Sequence, residues 1–265
     1  MQAADAPILV CRPLAALTAH VFTTQHWLLG SNAVSPDDDT PWTAVALAVG
    51  VNTSQLIRAR QVHGSHAISG QCQGSERPSA DIVVTADPGQ AAAVQSADCV
   101  PVLIIDRRHG AVAAAHAGWR GLAAHVPETA VAALQREYGS AAGDLYAAIG
   151  PSISSCCYQV GPDVLQAFVD GSFDAERLAN YFLPVPTHSD RNPSLLAREP
   201  RVDRWFFDTW RAAREGLEDA GIPVGQIYTA ELCTASHPGV FCSYRRDGRR
   251  AGRMAAAIRS SQLHP

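Results

Sequence analysis

The sequence predicts a single α+β domain in which a sandwich of β-sheets is flanked by outer helices. The chain has 265 residues, of which 47% are hydrophobic and 17% are charged, as in folded proteins with a substantial core. Short β-branched runs and helical segments are mixed without a strict β–α–β alternation, which favours an α+β fold over a doubly wound one. No shift in composition marks a boundary between domains.

Four helices are predicted from their end signals. Proline in a first turn and glycine after a last turn are typical of helix starts and ends. On that basis, helices are predicted to begin at residue 40 and to span 127–138, 162–170 and 207–220. The polar, acidic segment 30–40 is predicted to be an exposed loop, and the proline-rich segment 183–200 to be irregular.

Six strands are predicted from β-branched and aromatic runs that are bounded by turn residues. They span 81–85, 100–105, 111–116, 145–149, 226–229 and 240–244. The run VPVLII at 100–105 is apolar throughout, which indicates a strand buried on both faces. Together with 111–116 it is predicted to form a hairpin with an exposed turn at 107–110.

All 21 basic residues are arginine, and the absence of lysine excludes several chemistries. Without lysine there is no Schiff base for pyridoxal phosphate or for a lysine-dependent aldolase. The P-loop of nucleotidases also requires a lysine. A bound anion must therefore be held by arginine, backbone N–H groups or a metal ion. The formal net charge of −4 argues against nucleic acid as the main partner.

Targeting signals are not recognisable in the sequence. The first apolar run has no basic region before it, so a secretory signal is not expected. The longest uncharged stretch, 145–162, is broken by Gly150 and Pro151 and is not expected to cross a membrane. The seven cysteines form no regular framework. We therefore expect reduced cysteines, a cytoplasmic location and no membrane partner, while the sequence indicates no oligomeric state.

Three residues at strand-to-turn junctions are candidate metal ligands: His63, Cys99 and His116. Each histidine lies beside a glycine-containing turn, and Cys99 directly precedes the predicted buried strand. Two histidines and one cysteine leave a fourth position open for water or substrate, which is typical of catalytic zinc. Their spacing matches no short zinc signature, so scattered core histidines and cysteines remain an alternative.

The same three residues suit a second chemistry. A cysteine beside a histidine can form an activated thiolate for acyl transfer or deamidation, with Asp98 or Gln61 as the orienting group. A metal-bound thiolate is a poor nucleophile, so the two interpretations compete.

The densest cationic segment, 241–250, is a candidate anion site together with Arg120. Guanidinium groups bind phosphate and carboxylate through paired hydrogen bonds, and Arg245 and Arg246 are the central candidates. A solvated surface hairpin is the alternative. Trp119 suits stacking on a flat ring or a place in the core.

Three further cysteines are interpreted as residues of the core. Cys156 and Cys157 are adjacent, which is unfavourable for a disulfide or for chelation of one ion, and we interpret them as core residues. Cys233 could line the site but is more typical of a small buried residue.

Several short motifs together resemble the YfiH-like family, also called the laccase-domain or multicopper polyphenol oxidase family. They are QVHG (61–64), SADCVPVL (96–103), HAGWRG (116–121), IGPSI (149–153), YQVG (158–161), CT (233–234), SYRRD (243–247) and GRMA (252–255). The resemblance implies one YfiH-like domain over 1–265, with the family motifs confined to 61–258. It also implies an αββα sandwich related to that of cysteine-hydrolase toxins.

The function implied by the resemblance is that of a purine nucleoside enzyme. Family members are associated with phosphorolysis of adenosine, inosine, guanosine and methylthioadenosine, and with deamination of adenosine. Their metal, usually zinc, is held at the positions of His63, Cys99 and His116, and copper is the alternative. The expected partners are a purine nucleoside and phosphate. We expect Asp98 to move protons, and Arg120 with Arg245 or Arg246 to bind phosphate.

The first sixty residues depart from the family pattern. They lack recognisable Gly-Gly-Val-Ser and Ser-x-Asn-Leu-Gly segments, which leaves the preferred substrate open.

Three alternative functions are weighed against this one. A polyphenol oxidase needs several coppers, and the sequence has no His-x-His pair to bind them. A structural zinc module would need a fourth ligand, which no motif supplies. A Cys–His amide hydrolase acting in peptidoglycan editing, a role in which some bacterial members are named, is therefore the second choice.

Overall fold

Two β-sheets pack face to face in the computed structural model, which describes residues 6–30, 40–70, 77–196 and 199–261. Helices cover the outer faces of both sheets, so the layers follow the order helix, sheet, sheet, helix. The predicted α+β sandwich of the αββα type is therefore confirmed.

The helices are α1 (Arg12–Ala15), α2 (Thr40–Ala48), α3 (Trp119–Ala123), α4 (Val126–Tyr138), α5 (Pro162–Asp170), α6 (Ala175–Tyr181), α7 (Thr209–Asp219) and α8 (Tyr244–Asp247). The strands are β1 (Ile8–Leu9), β2 (His20–Thr23), β3 (Leu56–Arg58), β4 (Ala67–Ser69), β5 (Ile82–Thr85), β6 (Ala91–Ser96), β7 (Val100–Asp106), β8 (Val112–Ala117), β9 (Leu145–Ile149), β10 (Gln159–Val160), β11 (Phe182–Leu183), β12 (Trp205–Phe207), β13 (Ile227–Thr229) and β14 (Met254–Arg259). None of the helices in the described ranges is long and apolar enough to traverse a lipid bilayer.

Both main sheets are mixed. The first has the strand order β1-β2-β14-β6-β3, and only its β3–β6 pair is parallel. The second has the order β13-β9-β7-β8-β5-β4, in which the two edge pairs are parallel and the central pairs antiparallel. A third sheet is small and antiparallel, and its strand order is β10-β12-β11.

Alanine-rich strands occupy the centre of the sandwich. β6, β8 and β14 each contain three consecutive alanines and are buried on both faces. On β8, Ala114 faces the core between the sheets, whereas Ala113 and Ala115 face the helices. Alternate strand residues point to opposite faces, so small side chains on both faces allow a helix and a second sheet to approach together.

Each outer helix buries one apolar face. Ala130 and Leu134 of α4 pack against the second sheet, and Val45 of α2, together with Val49 just after this helix, packs against the first. These apolar residues recur at the spacing of a helical turn, as expected for helices that cover a sheet on one face.

Most predicted elements are present, namely α2, α4, α5, α7, β5, β7, β8, β9 and β13. The predicted strand at 240–244 is wrong, because the chain is irregular there and α8 begins at Tyr244. Ser243 caps this helix by accepting a hydrogen bond from the N–H of Arg246. The predicted helix from residue 207 begins instead at Thr209, since Phe207 belongs to β12.

Two expectations fall on undescribed parts of the chain. Most of the predicted loop at 30–40 and Cys72 lie outside the described residues. The divergent first sixty residues nevertheless supply β1, β2 and β3, which are three of the five strands of the first sheet.

Candidate metal centre

The turn that carries His63 is held by a buried carboxylate. Both oxygens of Asp81 accept backbone N–H groups, from Val62 at 3.1 Å, His63 at 3.0 Å and Gly64 at 2.7 Å. His63 has a φ of 60°, a left-handed conformation that is unfavourable for a residue with a side chain. The three hydrogen bonds to Asp81 offset this strain and fix the position of the imidazole.

The same carboxylate orients His116 on β8. Nδ1 of His116 lies 2.8 Å from Oδ1 of Asp81, and both side chains are buried. A carboxylate is an acceptor, so Nδ1 carries the proton and Nε2 is left free as a ligand atom. Burial raises the pKa of Asp81, but the bonds from His116 and Gly64 outweigh it and hold that pKa below its usual value.

Cys99 completes the group at the start of β7. Its Sγ and one ring nitrogen each of His63 and His116 all lie within 4.8 Å of one another. The two imidazole rings meet edge to face, with centroids 4.9 Å apart. We call these three residues the His–Cys–His cluster. The structure thus brings together the three ligands that the sequence predicts.

Gly118 is required next to this cluster. A Cβ at this position would lie 3.0 Å from Sγ of Cys99 and 3.1 Å from Cδ2 of His63. The glycine of the HAGWRG motif therefore lets the backbone pass directly beside two of the three side chains.

The electrostatics of the cluster favour a thiolate paired with a protonated imidazole, so binding of a metal ion must displace the proton on Nε2 of His116. Burial raises the pKa of the Cys99 thiol, but the neighbouring His116 and His63 lower it to about 6. Burial lowers the pKa of His116, but Cys99 and Asp81 raise it to about 9. A thiolate and an imidazole backed by a carboxylate form the donor set that zinc prefers, so the residues present fit this ion.

Asp98 is buried beside the cluster, and both of its carboxylate oxygens accept hydrogen bonds. Thr234 donates its hydroxyl to Oδ1 at 2.6 Å, and the N–H of Arg245 donates to Oδ2 at 2.6 Å. Burial raises the pKa of Asp98. Its φ of 89° shows that the backbone is strained at this point. Asp98 thus connects the segments that carry Thr234 and Arg245 to the start of β7. Its predicted role in proton transfer stays a prediction.

A cleft of about 580 Å³ is connected to the cluster through Trp119, which lines the cleft and follows Gly118, although the three candidate ligands do not themselves line it. Trp119 and Tyr158 contribute aromatic rings to its wall, and Arg201, Arg204 and Arg245 contribute guanidinium groups. Trp119 directly follows Gly118, and burial together with the nearby Cys99 and Asp98 raises the pKa of Tyr158. The cleft therefore offers flat apolar surfaces and positive charge next to the candidate ligands.

The predicted anion-binding arginines differ in their surroundings. The guanidinium of Arg120 lies over the ring of Trp119, with Cζ 4.0 Å from its centroid, and that of Arg245 lies over Tyr158 at 4.7 Å. Both side chains are exposed.

Arg246 is engaged within the protein. It donates hydrogen bonds to both carboxylate oxygens of Asp247 and to the carbonyls of Thr234 and Phe241. Its guanidinium therefore holds the 234–247 region together, whereas Arg245 lines the cleft and donates one hydrogen bond, from Nη1 to the carbonyl of Gln159 at 2.6 Å.

The sequence analysis missed Asp81, Arg201 and Arg204. Asp81 lies in the predicted strand 81–85, but its pairing with His116 depends on the register between β5 and β8. Arg201 and Arg204 lie in or next to an irregular segment and carry no local signal. Tyr158 belongs to the YQVG motif, so the resemblance could have identified it.

The αββα sandwich and the His–Cys–His cluster together describe an α+β protein with a candidate metal site. Residues 40–261 match the model of the family described as multi-copper polyphenol oxidoreductase laccase. The match covers most of the chain, and the chain belongs to this family, as the YfiH-like motifs predict.

Two similar proteins have names that state an activity. The chain is 35% identical over 178 residues to a purine nucleoside phosphorylase of Bacteroides thetaiotaomicron, and the alignment covers 67% of this chain and 60% of that protein. It is 29% identical over 223 residues to adenosine deaminase RL5 of an unknown prokaryotic organism, with 81% of this chain and 78% of that protein covered.

A solved structure extends the likeness to the whole fold. The crystal structure of the hypothetical protein YfiH of Bacillus licheniformis matches with a TM-score of 0.80 at 27% identity, and the match covers 96% of this chain and 97% of that one.

Proposed function

We propose that this protein is a metal-dependent purine nucleoside enzyme that phosphorolyses adenosine, inosine, guanosine or methylthioadenosine and deaminates adenosine. The observation that carries the proposal is the His–Cys–His cluster beside a cleft that is both aromatic and cationic. The names of the two similar proteins support the same pair of reactions.

His63, Cys99 and His116 would hold the ion, which we propose to be zinc. Their two nitrogens and one sulfur suit zinc, and the hydrogen bond from His116 to Asp81 is the usual outer support of such a ligand. When bound, zinc supplies Lewis-acid chemistry to an oxygen in the open fourth position. Copper remains the alternative ion, in keeping with the description of the family.

The walls of the cleft would bind the nucleoside and phosphate. Trp119 and Tyr158 offer ring faces on which a purine can stack. In phosphorolysis a phosphate oxygen bonds to C1′ of the ribose while the bond from C1′ to the base breaks. Arg245, with Arg120 on the neighbouring helix, would neutralise the phosphate, since the chain has no lysine to do so.

Asp98 would support phosphate binding indirectly, by positioning Arg245. Its carboxylate fixes the backbone N–H of Arg245, and this bond sets where the guanidinium lies relative to the cleft. Arg246 would support the same segment from within through its bonds to Asp247 and Thr234.

Product analysis tests the proposal. Purified protein is incubated with adenosine or inosine, with and without phosphate, and the products are separated by chromatography. Phosphate-dependent release of the base supports phosphorolysis, and conversion of adenosine into inosine supports deamination. A zinc-loaded protein that yields neither product contradicts the proposal. We expect His63→Ala to lose metal and activity together.

Substitution of the arginines gives a sharper test. Arg245→Ala should raise the KM for phosphate about tenfold or more, because a charged hydrogen bond to phosphate is lost. Arg249→Ala is the matched control, since Arg249 is an exposed arginine of the same segment that does not line the cleft. Equal phosphate KM values in both variants would remove Arg245 from the phosphate site.

A Cys–His amide hydrolase, acting in peptidoglycan editing, is the second candidate function. Cys99, His116 and Asp81 suit the roles of nucleophile, base and orienting carboxylate, in that order. A metal-free protein that hydrolyses amides and loses this activity on alkylation of Cys99 would favour it. A polyphenol oxidase ranks lower, since among the described residues only His63 and His116 contribute histidines to a candidate metal cluster.

We also propose a cytoplasmic location. The sulfur atoms of three free cysteines lie close together, namely those of Cys156, Cys157 and Cys233. Such thiols stay reduced in a reducing compartment. Fractionation of cells that produce the protein tests this proposal.

A further inference from the structure

A second group of close sulfur atoms lies in the core, apart from the His–Cys–His cluster. The Sγ atoms of Cys156, Cys157 and Cys233 lie within 4.8 Å of one another. These residues are 2%, 1% and 0% exposed, and they pack with Ile153 and Ala235. We call them the cysteine cluster. No residue is shared with the first group.

The fold directs all three sulfurs to one point. A tight turn places Cys156 and Cys157 together, because the N–H groups of Cys157 and Tyr158 both bond to the carbonyl of Ser154. Both residues are buried in the core, as expected from the sequence, and the turn brings their two sulfurs close together although the residues are adjacent. Cys233 arrives from the other side, with its N–H bonded to Oδ1 of Asn192 at 2.7 Å.

Ser236 lies between the thiols and the surrounding chain. Its Oγ is 3.6 Å from Sγ of Cys156 and 3.4 Å from Sγ of Cys157, and it donates a hydrogen bond to the carbonyl of Pro193 at 2.7 Å. The hydroxyl proton is thus used by Pro193, and the oxygen accepts from the thiols. Within the described residues, the hydrogen-bond contacts of the three thiols are to the hydroxyl of Ser236 and the carbonyl of Pro193, and they involve no cationic side chain.

We propose that the cysteine cluster is a second metal site, which binds one monovalent copper ion through three sulfur atoms. A donor set made only of sulfur selects soft ions, of which Cu(I) and Zn(II) are the common ones. Zinc takes four ligands in structural sites, whereas the candidate group in the described residues consists of three buried sulfurs. Cu(I) is satisfied by three sulfurs.

The distances suit this ion after a small adjustment. A metal–sulfur bond of about 2.3 Å places the three sulfurs of a planar site about 4 Å apart. The three sulfurs all lie within 4.8 Å of one another, so a separation of about 4 Å requires only a small movement of the side chains. Each bond to copper replaces an S–H bond whose proton leaves to solvent, and the oxidation state of copper and sulfur does not change.

Copper in this cluster would stiffen the wall of the cleft. Tyr158 and Leu196 line the cleft and also pack against the cluster. Thr234, next to Cys233, donates a hydrogen bond to Asp98. An ion that binds only the folded protein raises its stability, so copper should raise the unfolding temperature.

Copper titration tests the proposal in a variant without the first site. His63→Ala/His116→Ala protein is reduced, freed of metal and titrated anaerobically with Cu(I) against bicinchoninate. We expect one copper per chain, and X-ray absorption should show three sulfur neighbours with no nitrogen. Adding Cys233→Ser should abolish this copper. Adding Cys242→Ser, which removes a buried cysteine outside the cluster, should retain it.

Several outcomes overturn the proposal. These are copper that survives Cys233→Ser, a spectrum with nitrogen or oxygen ligands, or a variant that binds zinc but no copper. If Cys233→Ser fails to fold by circular dichroism, the spectrum of the parent variant decides alone. Fewer than three sulfur neighbours in that spectrum also overturns the proposal.

Discussion

The His–Cys–His cluster and the cysteine cluster are surrounded by different kinds of interactions. The first is supported by the buried carboxylate of Asp81, contains one strained residue, His63, and lies next to a second, Asp98. The second is surrounded by apolar side chains and one neutral hydroxyl, that of Ser236. Charge and strain are stabilised only by an extended hydrogen-bond network, whereas thiols need little more than close packing.

This difference has a functional meaning. A donor group that lies beside an open cleft must keep its geometry while substrate and solvent exchange, so rigid outer support is needed. A buried group of thiols keeps its geometry through the core that encloses it. Removing the outer support should therefore affect the two clusters unequally.

The largest effect is expected for Asp81→Asn. An amide NH2 would replace one oxygen that accepts N–H groups from the His63 turn or from His116, so donors would face each other. We expect about 10- to 100-fold weaker zinc binding at the His–Cys–His cluster. The free energy of unfolding of the metal-free protein should fall by on the order of 3 kcal/mol. Zinc competition and urea unfolding measure the two effects.

Asp106→Asn is a matched control for this change. Asp106 is fully buried, accepts the N–H groups of Arg108 and His109, and pairs with Nδ1 of His109 at 2.9 Å, at the other end of β7. It should lose stability without any change in zinc affinity. Equal loss of zinc affinity in both variants would mean that Asp81 acts only through the fold.

A moderate effect is expected for Gly118→Ala. The new Cβ would contact Sγ of Cys99 and Cδ2 of His63 at about 3 Å, so both side chains must move. Such overpacking costs about 1–3 kcal/mol of unfolding free energy. Zinc affinity should fall, and copper binding at the cysteine cluster should not change.

Gly143→Ala provides the comparison for this glycine, because a Cβ there meets no atom within 4 Å. That variant should retain both stability and zinc affinity. Normal zinc binding in Gly118→Ala would show that the cluster tolerates displacement, contrary to the rigidity inferred above.

A smaller effect is expected for Ser236→Ala. The change removes one buried hydrogen bond to Pro193 and should lower the free energy of unfolding by about 1 kcal/mol. Ser260→Ala removes a bond of the same kind to Gly110, far along the chain, and should cost a similar amount. Copper affinity should be unchanged in both, since serine is not a proposed ligand. A large copper loss in Ser236→Ala alone would show that the cysteine cluster, too, depends on its polar neighbour.

The sequence predicts the fold best where strands contain β-branched residues. The runs at 81–85 and 100–105 were identified, whereas the alanine-rich β6 and β14 were missed. The equally alanine-rich β8 was predicted only as the hairpin partner of β7. Alanine favours helices as an isolated residue, and only the packing of two sheets explains its presence in strands. The aromatic segment at 240–244 was assigned to a strand because the capping role of Ser243 is not visible in a β-type composition.

The candidate sites also contain some residues that local sequence patterns identify and others that depend on packing. Motifs with glycine and histidine marked His63, Cys99 and His116, and the structure brings these residues together. Asp81 and the cysteine cluster depend on contacts between residues 35 and about 80 positions apart in the chain. Such contacts follow from strand register and loop packing, which local patterns do not contain.

The smallest effect concerns an exposed counterpart of the buried His116–Asp81 pair. His125, before α4, has Nδ1 2.9 Å from Oε1 of Glu128 and Nε2 2.9 Å from the carbonyl of Gly171. Both partners are acceptors, so both ring nitrogens carry protons. Partial burial lowers the pKa of His125, but Glu128 and Gly171 outweigh it and raise the pKa above its usual value.

A raised pKa in the folded state stabilises the protein at pH values below the unfolded pKa of about 6.5, and this stabilisation is lost as the pH rises through the folded pKa. His125→Asn removes it while suiting the left-handed backbone at this position, where φ is 57°. The difference in unfolding temperature between the wild type and this variant should be constant below about pH 6 and shrink at higher pH. His116 is present in both proteins, so its own titration cancels in the difference. A difference that grows with pH would show that His125 is neutral in the folded protein.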